Sequence, residues 1–341
     1  LSHSALGGLL LLMAAGAIVA FPVAGWVSDR RGPAQVTRIL GVLNALALFG
    51  LALAPGPLIL GLVLMTFGAC HGAMDVTMNG WAAEVERWAK RPQMSTYHAM
   101  WSLGAGIGAA TGYLALTFGF GLFWHFLLAG GGLLFSALLF SQDGWVSKPN
   151  GEARGAVFSL PKGALVLVGL LAMCASMGEG VMADWSAIYM RDEIGVSPRW
   201  APVGFAIFSI AMVATRLSGG WINRLGPPHM VARVAGLVGS AGMVLAILSP
   251  AVPGTLAGFV LFGMGLALIF PLAFSRAAND PNVPQGQALA SVATLGYGGI
   301  LLGPPVMGFI ASATSLTVSF AVLAGMALMI TVLAGALKVP E

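Results

Sequence analysis

Three of the 12 acidic residues, Asp75, Glu179 and Asp184, fall inside long apolar runs. An ionisable side chain in such surroundings costs about 2.5–3.5 kcal/mol on membrane-insertion scales, so each is a candidate for function. Glu179 is the clearest. Gly178 and Gly180 flank it, which leaves the backbone accessible and deformable. It precedes Met190 by about 16 Å of helix. A carboxylate placed there can accept hydrogen bonds from a solute hydroxyl, or take up and release a proton. The alternative is a structural carboxylate bonded to a neighbouring helix. Asp184 lies about 140° around the same helix and so shares no face with Glu179. With Trp185 and Ser186 it either lines the outer part of a cavity or caps an extracellular gate.

His71, Asp75 and Asn79 recur at four-residue spacing and make one polar stripe, which is out of place on a lipid-facing surface. Asp75 either faces a cavity or pairs with a basic residue of the 25–38 segment, with Asn79 as a secondary member. His98 and Ser102 share a face, and an imidazole there is either a titratable group or a hydrogen-bonded packing residue. Trp101 is either a stacking platform for a sugar ring or an interfacial aromatic. Arg216, near the end of its span, is expected to snorkel toward water. No phosphate-binding Gly-x4-Gly-Lys-Ser/Thr, no His-Glu-x2-His and no metal cluster is present. No enzyme, cofactor or metal site is therefore expected, and Cys70 and Cys174 read as small core residues.

These side chains sit in a chain of 341 residues that is 58% hydrophobic and 8% charged. A soluble domain carries roughly 25% charged residues. The mean hydropathy of +0.90 excludes a soluble enzyme, a nucleic-acid binder and a disordered chain. Eleven segments can span a bilayer, near 6–27, 36–54, 57–80, 97–117, 120–140, 164–190, 200–221, 230–249, 252–275, 288–311 and 316–337. The runs are continuous, which excludes a β-barrel. The one long polar connection, 142–163, divides an N-terminal bundle (1–141) from a C-terminal bundle (164–341). Of the 16 Lys and Arg, all but Arg191 and Arg199 fall on one side. That side is expected to be cytoplasmic, with the C-terminus inside.

An internal repeat punctuates the spans. Gly25, Asp29, Arg30, Gly32 and Pro33 match Gly219, Asn223, Arg224, Gly226 and Pro227, and Gly104 and Gly108 match Gly299 and Gly303. Two related halves of the same orientation follow. The second half has six spans and the first has five. One N-terminal helix is therefore expected to be missing from this sequence.

The Gly25-x3-Asp29-Arg30-x-Gly32 loop, followed by Arg38, resembles the signature loop of the major facilitator superfamily (MFS). Gly104, Gly108, Gly112 and Gly299, Gly303, Gly308 resemble that family's glycine-rich fifth and eleventh helices, and read as helix-packing glycines. Asp75 through Asn79, His98 to Ser102, and Glu179 to Ser186 resemble bacterial members near the fucose-permease-like transporters. The resemblance implies an all-α membrane fold of two six-helix bundles related by a pseudo-twofold repeat. It also implies a charge relay in which Asp29 and Arg30 join an acid on the family's fourth helix, and a bacterial inner-membrane location. With Asn223 in place of Asp29, the second loop should hold less firmly.

The expected function is secondary transport by alternating access: proton-coupled uptake of a sugar-like or other small polar solute by a monomer in the lipid bilayer. Efflux of amphipathic compounds on the same fold, or a non-transporting membrane sensor or scaffold, are the alternatives.

Overall fold

The computed structural model describes residues 3–140, 142, 144–148, 163–197, 200–249 and 251–338. Among the described residues there are helices and connections but no strand. The first half holds α1 (His3–Arg31), α2 (Pro33–Leu53), α3 (Pro57–Ala89), α4 (Met94–Thr117) and α5 (Leu122–Phe140). The second holds α6 (Ala164–Asp192), α7 (Val203–Leu217), the short α8 (Gly219–Ile222), α9 (Pro228–Leu248), α10 (Val252–Leu266), α11 (Ile269–Ala278), α12 (Gln285–Ala313) and α13 (Leu316–Leu333). Among the described residues, eight stretches are long and apolar enough to cross a membrane, and Phe123–Leu139 and Val203–Leu217 are shorter apolar helices. With α4 they are roughly consistent with the eleven expected spans. Each helix pairs its own backbone N–H and C=O groups, for which a bilayer offers no partner.

Gly and Pro set the ends. α1 stops at Arg31, Gly32 turns at φ +87°, and Pro33 opens α2 at a position where its missing N–H costs nothing. One span departs from expectation. The run 252–275 is interrupted between Leu266 and Ile269, because Pro271 has no N–H to give the Ala267 carbonyl four residues back.

The helices fall into two compact units. The first comprises Leu1–Ala89, Trp101–Leu160 and Asp280–Ser291; the second comprises Lys90–Met100, Pro161–Asn279 and Val292–Glu341. The opening residues of α4 therefore belong to the second unit and those of α12 to the first. Most of the expected linker 142–163 lies outside the described residues.

In the first unit α1 packs along α3, and α2 packs on α3 and α5. The α1–α3 approach is close: a Cβ at Gly72 would come within 2.8 Å of Ala17 and Phe21. In the second unit α9 packs on α10 and α13, and α6 lies on α13 and α11. A Cβ at Gly265 would meet the Gly239 backbone at 2.5 Å, so glycine on both α9 and α10 brings the backbones together. Tyr189, Phe259 and Phe320 form an aromatic core there, with Tyr189 and Phe320 stacked at 4.2 Å.

Candidate functional site

The second unit holds the acid singled out above. Glu179 accepts a hydrogen bond and ion pair from Arg216 of α7, Nη2 to Oε2 at 3.1 Å. Arg216 is 4% exposed at its side chain and Glu179 32%. Arg216 therefore does not snorkel, which corrects the expectation. Its Nε donates to the Ala267 carbonyl at 3.1 Å. That is the carbonyl Pro271 leaves without a donor, so one guanidinium serves both the acid of α6 and the break between α10 and α11. Gly178 makes room for this approach: a Cβ there would fall 2.6 Å from Leu266 and 3.1 Å from Phe262.

His98 lies beside the same elements. Its ring sits edge-on to Phe270 and Phe274 of α11, at 5.8 and 5.9 Å between centroids. Asp184 is exposed and stands apart from Glu179, as its helical angle requires. Gly299, Gly303 and Gly308 do pack α12 on α6, where a Cβ would press on Met173, Met177 and Trp185 respectively. Gly104 and Gly108 do not. A Cβ at either meets nothing within 4 Å among the described residues, so the described residues show no close packing at these two positions. The surroundings of Gly112 lie outside the described residues. Trp101 is exposed.

The first unit holds the signature loop. Asp29, 3% exposed, accepts hydrogen bonds from two backbone N–H groups at the start of α12: Gly286 at 2.7 Å and Gln287 at 3.2 Å. These are first-turn amides with no partner inside their own helix. A carboxylate there meets both open donors and the positive end of the helix dipole. Gly25 allows the approach, because a Cβ would collide with the Gly286 carbonyl, 2.8 Å from its carbon. Gln285 adds two contacts, donating to the Gly80 carbonyl at 2.6 Å and accepting from Arg87 at 3.0 Å. Arg30 is exposed and lies over the Trp26 ring at 3.8 Å. Arg38 donates to the Trp145 carbonyl at 2.7 Å and faces the Trp81 ring. Asp75 and Asn79 are both buried, and the Asn79 amide donates to the Asp75 carbonyl at 2.8 Å, one turn back on its own helix.

The repeated loop lies in the second unit. Gly219 backs onto Ser95 at the start of α4, where a Cβ would come within 2.6 Å of the Ser95 Cβ. Asn223 Oδ1 is buried without a hydrogen-bond partner among the described residues. Arg224 is exposed, and a Cβ at Gly226 would meet Met230 Cβ only at an ordinary van der Waals distance, 3.9 Å.

Sequence reasoning missed Ser147, Trp145 and Glu84, which cluster on the first loop, and it missed Arg216 as the partner of Glu179. Pro271 carried a usable signal, since a proline in a span frees a carbonyl and invites a donor. Nothing near residue 147 marked it.

Apolar helices of spanning length, packed through glycines in two compact units, mark a multi-pass membrane protein. The chain belongs to the Major Facilitator Superfamily, whose family profile matches residues 1–283. An uncharacterized transporter of Sinorhizobium fredii is 42% identical over 340 residues, covering 99% of this chain and 90% of its own. The membrane protein MosC of Rhizobium meliloti is 32% identical over 318 residues, covering 91% of this chain and 76% of its own. The fold is similar to that of the E. coli fucose:proton symporter, with a TM-score of 0.80 at 15% identity over 99% of this chain and 92% of the other. The human organic anion transporter MFSD10 gives a TM-score of 0.76 at 18% identity over 96% and 83%.

Proposed function

We propose that this protein takes up a small, uncharged polar solute of sugar-like chemistry by alternating access, driven by a proton gradient, across a bacterial inner membrane with its C-terminus in the cytoplasm. The two bundles, 1–141 and 164–341, rock about a site on α6, α7 and α11, and the signature loop gates one side. The observation that carries this reading is the Glu179–Arg216 pair. A buried guanidinium holds one carboxylate oxygen while about a third of the Glu179 side chain stays open. The pair has no net charge, and the open carboxylate edge accepts hydroxyl protons from a solute. The fucose:proton symporter, similar in fold, carries a solute of that chemistry with a proton. His98 and Phe270 border the same region, and the half-buried Phe270 ring, backed by the buried Phe274, supplies an aromatic surface for a sugar ring.

The test is uptake of labelled neutral monosaccharides into proteoliposomes with and without an imposed pH gradient. Glu179→Gln should abolish gradient-driven uptake. Because this variant strands a buried guanidinium, at a cost of about 3 kcal/mol, it is paired with Glu179→Gln/Arg216→Gln. The double variant should regain the membrane level of the parent but not its uptake. Coupled uptake at the parental rate in either variant would remove Glu179 from the mechanism.

A further inference from the structure

The chain leaving α5 does not run free. Residues 144–148 lie across the corner between α1 and α2, within the first unit. Ser147 is 2% exposed, and both its hydroxyl and its carbonyl are hydrogen-bonded. Its hydroxyl donates to Glu84 Oε2 at 2.5 Å and accepts from the Ala34 N–H at 3.1 Å. Its carbonyl accepts from Gln35 Nε2 at 3.1 Å. Two residues earlier, Trp145 donates from Nε1 to the same Glu84 oxygen at 3.2 Å, and its carbonyl takes the Arg38 guanidinium at 2.7 Å. The Trp145 ring stands edge-on to Trp88 at 5.9 Å.

We propose that residues 144–148 are a strap that positions the α1–α2 corner, and through it the Asp29 carboxylate on the first turn of α12, with Ser147 and Glu84 as the positioning residues. Three observations converge on this. First, Gly32 is the only residue between α1 and α2 and offers α2 no side-chain cap, so the first-turn amide of Ala34 needs an outside acceptor. The Ser147 hydroxyl is that acceptor, supplied from 113 residues away. Second, the strap rests on the turn itself. Gly32 adopts φ +87°, and a Cβ there would come within 2.7 Å of the Ser147 Cβ. The turn and the strap are shaped to one another. Third, Asp29 sits in the last turn of α1, three residues before Gly32. Its direction follows the path of the chain into the corner. With Ala34, Gln35 and Arg38 all held from the strap, the corner has no slack, and Asp29 stays aimed at the Gly286 and Gln287 amides.

The test is hydrogen–deuterium exchange on the full chain in lipid nanodiscs, with no solute required. Ser147→Ala should raise exchange at Gly286 and Gln287 on the order of tenfold, although residue 147 touches neither. Asp29→Asn should do the same, and the double variant should add little, because both act on one contact. Glu84→Gln keeps the volume and an acceptor oxygen, so it remains informative should Ser147→Ala fold poorly; it should raise exchange at the same two amides by a smaller factor. The proposal is overturned if exchange in Ser147→Ala and Glu84→Gln rises only around 32–36 and 144–148, with Gly286 and Gln287 at parental rates. Additive effects of Ser147→Ala and Asp29→Asn at those amides would overturn it equally.

Discussion

The segments Gly25–Pro33 and Gly219–Pro227 are identical at four positions and set Asn223 opposite Asp29, and they do different physical work. Each uses its leading glycine to seat an opposing helix start, Gly286 against Gly25 and Ser95 against Gly219. Beyond that the two diverge. Asp29 places a carboxylate on two open amides, while Asn223 buries an amide oxygen that meets no donor among the described residues. Gly32 turns at a positive φ under the strap, whereas Gly226 is not among the positive-φ glycines and a Cβ there would come no nearer than 3.9 Å to Met230. Small residues preserve the path of the chain in both copies. Charge complementarity is present in only one, so the two loops do not hold their helix starts equally.

Substitutions at matched positions can sharpen or break this contrast. The largest difference is expected at the second glycine. Gly32→Ala forces an L-residue into the left-handed region and against Ser147, which should cost about 3 kcal/mol. Gly226→Ala should stay within about half a kcal/mol of the parent. Unfolding titrations of both variants in mixed micelles measure the gap, and equal losses would show that the strap imposes nothing on Gly32. Next in size is the acid. Asp29→Asn keeps the shape and removes the charge, so it should weaken the hold on α12 by about 2 kcal/mol. It should also slow uptake severalfold while the protein still reaches the membrane, as read by proteoliposome transport beside a membrane-fraction blot. Parental transport would separate the contact from gating. The smallest effect is expected from Asn223→Asp. A carboxylate oxygen desolvated without a donor should lose about 1 kcal/mol. A more stable variant would mean that the second loop offers donors like those of the first, and the asymmetry would reduce to a single atom.

Much of this molecule is readable along the chain. Glu179 stood out because a charge in an apolar run is expensive wherever the helix turns it. Gly25 and Gly32 stood out because their spacing from Asp29 and Pro33 sets a close approach and then a turn. Other residues gave misleading or no signals. Arg216 looked like a snorkelling cation because it lies close to a span end. Its burial depends on Glu179 from α6 and on the carbonyl that Pro271 frees, and neither is near it in sequence. Gly104 and Gly108 repeat Gly299 and Gly303 in sequence but not in packing among the described residues, since a small residue permits a close contact without supplying the partner. Ser147 follows a stretch of polar chain and carries no periodicity at all.

The sequence alone determined the solvent, the spans and their number, the repeat, and which acids are out of place in lipid. Those follow from one-dimensional rules: about 20 apolar residues per crossing and a steep cost for buried charge. Only the tertiary structure decided which groups meet. The Asp29 carboxylate found Gly286 and Gln287, Glu179 found Arg216, and the Ala34 amide found Ser147. Hydrogen bonds and ion pairs act over about 3 Å, so their partners are set by how distant helices pack and not by spacing along the chain.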